Sequence, residues 1–307
     1  MKKNLPKSLL IFTSIFFINL SACAKQNQGK QIFVTDSTQA ENTEKLGDSK
    51  SISKSSSVST SKSTSISSST LNPEIEKLNK VLMKMSDRCK ETIPNGDPNE
   101  FLEDLHKVLD EQKNFRADDL SLYYLIDKKH SVSENYVPKD LIPVKNNDYW
   151  NVSRNDLSLR PEAYSALEEL SKAALEDGIK LLVSSTYRSY KYQKNLFNRY
   201  VAQDGLALAE RYSARAGTSQ HQLGCAVDFG SITDDWAETK MGKWVYAHAE
   251  DYGWSLSFPK EYEDITGYMW ECWHFRYIGL TACQFQKKWF GDIQQFMFEF
   301  IDAWMQE

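Results

Sequence analysis

The sequence predicts an α+β fold, with a small, mainly antiparallel sheet flanked by helices and preceded by a helical segment. From residue 73 onward, amphipathic helical patterns alternate with short apolar runs of the strand type. The alternation lacks the regular strand–helix–strand rhythm of a parallel α/β sheet. Tryptophan, tyrosine and phenylalanine make up 12% of the chain, which suits a well-packed core.

The first 22 residues have the pattern of a secretory signal peptide. Lys2, Lys3 and Lys7 precede an apolar run at 9–20, which is short for a membrane-spanning helix. The run ends in Leu20-Ser-Ala-Cys23, which is similar to the lipobox of bacterial lipoproteins, in which the cysteine is lipidated. The alternative is an ordinary signal peptide with an incidental Cys23. We expect an extracytoplasmic lipoprotein of the bacterial cell envelope, anchored to the membrane by two or more acyl chains.

Residues 23–72 are predicted to form a flexible, disordered linker behind that anchor. The segment is rich in serine and nearly free of aromatic residues, so it buries too little apolar surface to fold. The whole chain has a net charge of −5 and shows no basic stripe with interleaved aromatic residues. These features argue against a nucleic-acid partner. We also expect the protein to be a monomer.

A helical N-terminal segment is predicted at 73–118. Apolar residues recur at helical spacing on both sides of Pro94, Gly96 and Pro98. A helical hairpin is the expected product. His106 falls within the amphipathic pattern and is expected to be a surface or packing residue.

The remaining residues, 119–307, are predicted to form the main domain. Proline in a first helical turn and glycine after a last turn mark its helices, and short apolar runs mark its strands. In chain order we predict a β-like stretch at 121–126, an extended segment at 136–144, a helix from Arg160-Pro161 to Leu175 ended by Gly178, a buried strand at 180–185, and helices at 190–200 and 240–251, the second closed by Gly253.

Two short segments contain the residues best suited to catalysis. The first is SQHQLGCAVD at 219–228, and the second is WECWH at 270–274. A catalytic zinc ion takes three protein ligands from histidine and carboxylate side chains and keeps a further position open for water. His221, Asp228 and His274 supply such a set of ligands.

The local context supports this interpretation. Residues 225–229 are typical of a strand, and Gly224 would provide the turn that returns His221 to its side. Glu271 lies three residues before His274, close enough to act as a base that does not bind the metal. The HExxH motif is absent, which excludes the zincin class. Spacing alone leaves a second possibility open, in which two buried histidines lie beside two unrelated acids.

The two segments together resemble the VanY-type zinc D-alanyl-D-alanine carboxypeptidases and, more distantly, the VanX dipeptidases. The shared pattern is Ser-x-His-x-x-Gly-x-Ala-x-Asp followed by Glu-x-x-His. The resemblance extends from about Tyr136 to about Gly279, which is roughly half of the chain. Further matching stretches lie at 183–190, 198–205, 212–215, 244–254 and 263–268.

The resemblance implies a fold of the D-Ala-D-Ala carboxypeptidase/hedgehog type and a zinc carboxypeptidase domain at 119–307. It also implies that His221, Asp228 and His274 bind one Zn²⁺ per domain. Glu271 would then act as general base and acid.

Three more residues match positions of the substrate pocket. Arg188 matches an arginine that faces the carboxylate of the substrate or the developing oxyanion, where a fixed fork of donors suits negative charge. The alternative for Arg188 is a surface salt bridge. Gln193 and Ser219 match pocket-lining positions, whereas His248 matches a helical position and is expected to be structural.

The sequence departs from the family pattern at three places. Ala216-Gly217 replaces Pro-Gly, Cys225 replaces a larger apolar residue, and Cys272 replaces the proline of Glu-Pro-Trp-His. Cys272 could bind the metal, undergo oxidation, or pair with Cys225 or Cys283. We expect it to be a free, inert thiol, and the four cysteines that follow Cys23 are at most optional disulfide partners.

The predicted activity is removal of the C-terminal D-alanine from peptidoglycan stem peptides. An L,D-carboxypeptidase acting on tetrapeptide stems is an alternative within the family. A non-catalytic, zinc-dependent wall-binding module is another, but a binding module has no need of the base Glu271. A purely structural lipoprotein would leave the set of metal ligands unexplained.

Overall fold

The computed structural model of the chain describes residues 72–114 and 121–307. The predicted signal peptide, Cys23 and, up to residue 71, the predicted linker lie outside the described residues. The boundary predicted between residues 118 and 119 does so as well. In the part of the chain that is described, no helix is both long and apolar enough to cross a membrane.

Helices make up most of the regular structure, and short 3-10 turns separate several of them. The 3-10 turns span Gln220–Leu223, Asp234–Glu238 and Ala249–Tyr252. The α-helices of the described residues are α1 (Pro73–Lys84), α2 (Asp87–Thr92), α3 (Pro98–Asn114), α4 (Pro161–Glu176), α5 (Tyr190–Asp204), α6 (Leu206–Tyr212), α7 (Lys240–His248), α8 (Glu263–Thr266), α9 (Leu280–Trp289) and α10 (Gln294–Gln306).

The strands are short and belong to two sheets. They are β1 (Ile142–Val144), β2 (Trp150–Val152), β3 (Leu157–Leu159), β4 (Leu181–Ser185), β5 (Ala226–Phe229), β6 (Trp254–Leu256) and β7 (His274–Tyr277).

The larger sheet has the strand order β2-β4-β5-β7-β6. Strand β2 runs parallel to β4, and the other neighbouring pairs of this sheet are antiparallel. Strands β1 and β3 form a separate antiparallel pair. The prediction of an α+β fold with a small, mainly antiparallel sheet flanked by helices is therefore confirmed.

The centre of the larger sheet brings three polar residues side by side. Every residue of β5 and β7 is buried. In the register of the sheet, Asp228 lies opposite His274 on one side and opposite Ser185 on the other. Directly opposed residues have Cβ atoms about 5 Å apart, so the register itself places Asp228 and His274 within contact distance.

Gly224 ends the 3-10 turn that carries His221 and returns the chain to β5. Its φ of +72° is left-handed, and its N–H donates to the carbonyl of His221 at 3.2 Å. A side chain at this position would also lie 3.1 Å from side-chain atoms of Arg160, Leu141 and Pro138. The predicted role of Gly224 as the turn after His221 is therefore confirmed.

Gly224→Ala is expected to lower the free energy of unfolding by about 1–2 kcal/mol for the left-handed conformation alone. The close side chains should add to that loss. Urea denaturation would measure it, with Gly178→Ala as the matched control, since Gly178 has the same φ of +72° and no atom within 4 Å of an added Cβ. Equal losses in the two variants would show that packing around Gly224 is loose.

The N-terminal helices share one aromatic core with the C-terminal helices. The Phe101 ring on α3 lies 5.3 Å from that of Phe285, 4.9 Å from that of Trp289 and 5.1 Å from that of Phe300, measured between centroids. Residues 73–114 are helical as predicted, with α2 as an additional short helix between the two longer ones. His106 is exposed, and its Nε2 lies 3.1 Å from a carboxylate oxygen of Glu74, which agrees with a surface role.

The β-like assignment of residues 121–126 is wrong. The segment forms no strand, although Leu122 and Ile126 are buried in the core. Its carbonyls at Leu122 and Tyr124 instead accept hydrogen bonds from Nη2 of Arg276, at 2.6 and 2.9 Å. The apolar composition therefore reflects burial, and a buried guanidinium takes the place of a strand neighbour.

Two predicted helices have different ends. Helix α5 continues four residues beyond the predicted end at 200, to Asp204, and stops before Gly205. The predicted helix at 240–251 is α-helical only to His248, and a 3-10 turn then leads to Gly253.

Candidate metal centre

Three buried side chains converge at the centre of the larger sheet. His221 comes from the 3-10 turn, Asp228 from β5 and His274 from β7, and one potential ligand atom of each lies within 4.8 Å of the others. Nε2 of His221 is 3.2 Å from Oδ2 of Asp228, and Nδ1 of His274 is 3.0 Å from Oδ1. Two ligand atoms of one tetrahedral zinc ion stand about 3.4 Å apart at bond lengths of ~2.1 Å. The spacing and the donor chemistry of this cluster therefore fit zinc.

The two imidazoles present opposite nitrogens to Asp228. Nδ1 of His221 lies 2.7 Å from the carbonyl oxygen of Thr186, which can only accept, so Nδ1 carries the proton and Nε2 is free. His274 is turned the other way, with Nε2 3.1 Å from Oε1 of Gln220. Burial and, next, the Arg188 cation lower the pKa of His221 to about 4, so this ring is a neutral potential ligand at physiological pH.

Asp228 is held as an ionised carboxylate. Arg188 donates from Nη2 to Oδ2 of Asp228 at 2.6 Å and from Nε to the hydroxyl of Ser185 at 2.8 Å. Burial on its own would raise the pKa of Asp228, but His221 and Arg188 outweigh it and keep that pKa well below its usual range. Arg188 therefore pairs with a buried acid of the cluster, and the alternative of a surface salt bridge is wrong.

Glu271 lies beside the cluster on the turn before β7. Its Oε2 is 3.7 Å from Nδ1 of His274, and its side chain is 13% exposed. Its backbone N–H donates to the carbonyl of Phe258 at 3.1 Å, which fixes the turn. Burial and then the nearby Asp228 raise the pKa of Glu271 well above its ordinary value. A carboxyl group that readily takes up a proton next to three potential metal ligands suits general base and acid chemistry.

A cavity of about 500 Å³ opens onto the cluster. Gln193 donates from Nε2 to the carbonyl of Ala214 at 2.7 Å, and its buried Oε1 has no hydrogen-bond partner among the described residues. The cavity brings together all the site residues predicted within the described part of the chain. These are Arg188, Gln193, Ser219, His221, Asp228, Glu271 and His274.

Three residues of the site could not be recognised from the sequence. Thr186 contributes only a backbone carbonyl, and Gln220 occupies an unspecified position of the motif between Ser219 and His221. Phe258 packs its ring 4.8 Å from that of His274 but lies outside both motif segments. Their roles follow from contacts that only the folded chain reveals.

His248 lies apart from this cluster. Its ring lies 4.6 Å from that of Trp244 on the same helix, between centroids, at an interplanar angle of 31°, in agreement with the expected structural role.

Cys272 does not belong to the cluster. Its thiol is buried and lies 3.5 Å from the carbonyl of Thr233 and 3.7 Å from that of Asp234. Burial raises the pKa of this thiol to about 11, so it is not a thiolate at physiological pH. The four cysteines of the described residues are all free, which confirms the expectation of a free thiol and makes the pairing with Cys225 or Cys283 wrong.

Cys272→Ala is expected to leave zinc affinity unchanged and to lower the free energy of unfolding by about 1 kcal/mol. The reason is that the thiol fills space in the core, donates to the carbonyls of Thr233 and Asp234, and lies outside the ligand set. Chelator competition would measure the zinc dissociation constant, with Cys283→Ala as a control for the loss of a buried thiol. A weakening of zinc binding specific to Cys272→Ala would contradict this assignment.

Comparison with known proteins identifies relatives of the region that contains the cluster. Residues 156–280 match the family model VanY, D-alanyl-D-alanine carboxypeptidase. VanXYC of Enterococcus gallinarum, a bifunctional D-Ala-D-Ala dipeptidase and D-Ala-D-Ala carboxypeptidase, is 31% identical over 169 residues, which cover 52% of this chain and 85% of that protein. The solved structure of the LdcB LD-carboxypeptidase shares 31% sequence identity at a TM-score of 0.50, over 58% of this chain and 85% of that one.

A further relative is matched over less of its length. YodJ of Bacillus subtilis (strain 168) is 35% identical over 166 residues, which cover 52% of this chain. The match spans only 61% of the length of YodJ.

Proposed function

Because the chain belongs to the VanY family of D-alanyl-D-alanine carboxypeptidases, we propose that it removes the C-terminal D-alanine from peptidoglycan stem peptides. The observation that carries this proposal is the buried cluster of His221, Asp228 and His274 with Glu271 beside it, all facing one cavity. A cavity of about 500 Å³ lies within the size range of sites for small ligands such as a terminal dipeptide.

We assign His221, Asp228 and His274 as the ligands of one Zn²⁺ ion. When bound, the ion would supply Lewis-acid polarisation of the scissile carbonyl and of the attacking water. The free Nε2 of His221 and the ionised carboxylate of Asp228 support this assignment, because metal ligands must be unprotonated.

Glu271 is the general base and then the general acid of the proposed reaction. The oxygen of water bonds to the carbonyl carbon of the terminal peptide bond, and the C–N bond breaks. Glu271 takes a proton from the water and delivers it to the nitrogen of the departing D-alanine. Its raised pKa favours both steps, since the carboxyl group can hold the proton between them.

Arg188 and two pocket residues are proposed to position the substrate. The guanidinium of Arg188 lies at the cavity wall against Asp228, where a fixed cation can face the substrate carboxylate or the developing oxyanion. The buried Oε1 of Gln193 offers an acceptor to a substrate N–H group. Ser219 lines the same cavity.

Product analysis on two stem peptides tests the function. We expect the full chain, purified with zinc, to convert a pentapeptide stem to a tetrapeptide plus D-alanine, as seen by mass spectrometry. The similarity to the LdcB LD-carboxypeptidase favours a second candidate, which would instead convert a tetrapeptide stem to a tripeptide. If neither stem is shortened by the zinc-loaded protein, the proposed hydrolase function is wrong and the wall-binding alternative gains support.

We also propose that the protein acts as a monomeric lipoprotein held at the membrane through Cys23. The pattern of the first 23 residues supports this location. Cell fractionation of a Cys23→Ala variant tests it, with the protein expected to move from the membrane fraction to the soluble fraction. Retention of the variant in the membrane would argue against the lipid anchor.

A further inference from the structure

A row of buried amide side chains connects His274 to the C-terminal helix α10. Nε2 of His274 lies 3.1 Å from Oε1 of Gln220. Gln220 in turn donates from Nε2 to Oε1 of Gln294 at 3.3 Å, and Gln294 donates from Nε2 to the carbonyl of Ser255 at 3.2 Å. All four residues are buried, which limits competition from water for these bonds.

The direction of every hydrogen bond in this row follows from its last member. A backbone carbonyl only accepts, so Gln294 must turn its NH₂ group to Ser255 and its oxygen to Gln220. Gln220 must then turn its NH₂ group to Gln294 and its oxygen to His274. An imidazole nitrogen that faces an amide oxygen must donate to it, so Nε2 of His274 carries a proton. Nδ1, 3.0 Å from Oδ1 of Asp228, is then the nitrogen available to a metal ion.

The hydroxyl of Ser257 supports the same arrangement. It lies 2.7 Å from Oε1 of Gln220 and 3.2 Å from Oε1 of Gln294, and it can donate to either oxygen. A reversed Gln220 amide would set its oxygen against Oε1 of Gln294, two acceptors with no proton between them.

We propose that Gln294 is a positioning residue for the metal centre. Acting through Gln220, it keeps a proton on Nε2 of His274, so that the ring presents Nδ1 to the ligand set on the side of Asp228. This inference deepens the proposed function, on which it rests for the role of His274. Gln294 lies beyond residues 156–280, the region that matches the family model, so this contribution comes from a part of the chain outside that match.

Loss of the Gln294 amide should disturb His274 at a distance. Gln220 would lose the acceptor for its NH₂ group and would be free to turn that group toward His274. The ring would then accept at Nε2 and carry its proton on Nδ1, on the side where the ligand set converges. Loss of such supporting bonds typically weakens metal binding by about 10–100-fold.

The test is Gln294→Met, which keeps the length of the side chain and removes its amide. In the metal-free, ¹⁵N-labelled full chain, the imidazole nitrogen shifts report the tautomer of His274. We expect Nε2 to carry a proton in the wild type and, in part or all of the variant protein, to lack one. Chelator competition should show zinc binding weakened by about 10-fold or more.

Two further variants distinguish positioning from packing. Gln295→Met changes the next residue of α10, whose amide donates to Asp127 and Glu299, and it should leave the tautomer and the zinc constant unchanged. Gln294→Glu keeps an acceptor for the NH₂ group of Gln220 and should retain the wild-type tautomer.

An unchanged tautomer and zinc constant in Gln294→Met would overturn the proposal. If that variant does not fold, Gln220→Met tests the same row one step nearer to His274. A changed tautomer and weaker zinc binding in Gln220→Met would support the role of this row of amides. An unchanged tautomer and zinc constant would overturn the proposal. A wild-type protein that has the expected tautomer and binds zinc, yet releases no D-alanine, would refute the proposed function and leave this inference standing.

Discussion

Glu271→Gln is expected to slow the release of D-alanine by about 10³-fold while zinc stays bound. Glutamine keeps the size of the side chain but cannot take a proton from water or return it to the leaving amine. Glu271 is not one of the three clustered potential ligands, so its replacement should not remove the metal. Steady-state rates on a pentapeptide stem, together with metal analysis of the same samples, would measure both effects.

The matched control for this variant is Glu238→Gln. Glu238 is an exposed carboxylate that pairs with Lys243 at 3.0 Å on the surface, so its change should leave the rate as it is. A Glu271→Gln protein that hydrolyses at the wild-type rate would contradict the assigned role of Glu271. Loss of both zinc and activity would instead make Glu271 a ligand.

Asp228→Asn is expected to weaken zinc binding by more than about 100-fold, beyond the usual effect of losing a supporting residue around a metal ligand. The change removes the negative charge that the ion would meet at the centre of the cluster. It also removes the charged partner of Arg188, whose Nη2 lies 2.6 Å from Oδ2 of Asp228. Activity should fall with the metal content.

Chelator competition and metal analysis after dialysis would measure this effect. Asp251→Asn provides the control, because that carboxylate is 73% exposed and lies outside the cluster. An unchanged zinc affinity in Asp228→Asn would show that Asp228 is not a ligand and that zinc is held by other residues.

The members of the candidate site could be predicted from the sequence because most of them fall in two short motif segments. His221 and Asp228 are joined by a tight turn at Gly224, and Glu271 and His274 by another turn, so local geometry fixes each pair. The sheet register then sets Asp228 opposite His274. The pattern of 225–229 predicts a strand, but it does not predict which strand pairs with it or in which register.

Other features could not be predicted because they depend on contacts between distant parts of the chain. The row from His274 to Ser255 needs Gln294, which is 74 residues away from Gln220 in the sequence. Helices α9 and α10 were not predicted. Their aromatic residues pack against Phe101 of α3, and the sequence alone does not reveal this contact. The stretch at 121–126 has the apolar composition of a strand because it is buried. Its carbonyls, however, accept hydrogen bonds from the side chain of Arg276 and not from a neighbouring strand.

The most direct test of the central claim is the metal dependence of D-alanine release from a pentapeptide stem. The full chain would be assayed as purified with zinc, after removal of the metal by a chelator, and after zinc is returned. We predict release of one D-alanine per peptide in the first state, none in the second and recovery in the third. Hydrolysis that continues in the metal-free protein, or a zinc-loaded protein that releases no D-alanine, would contradict the account.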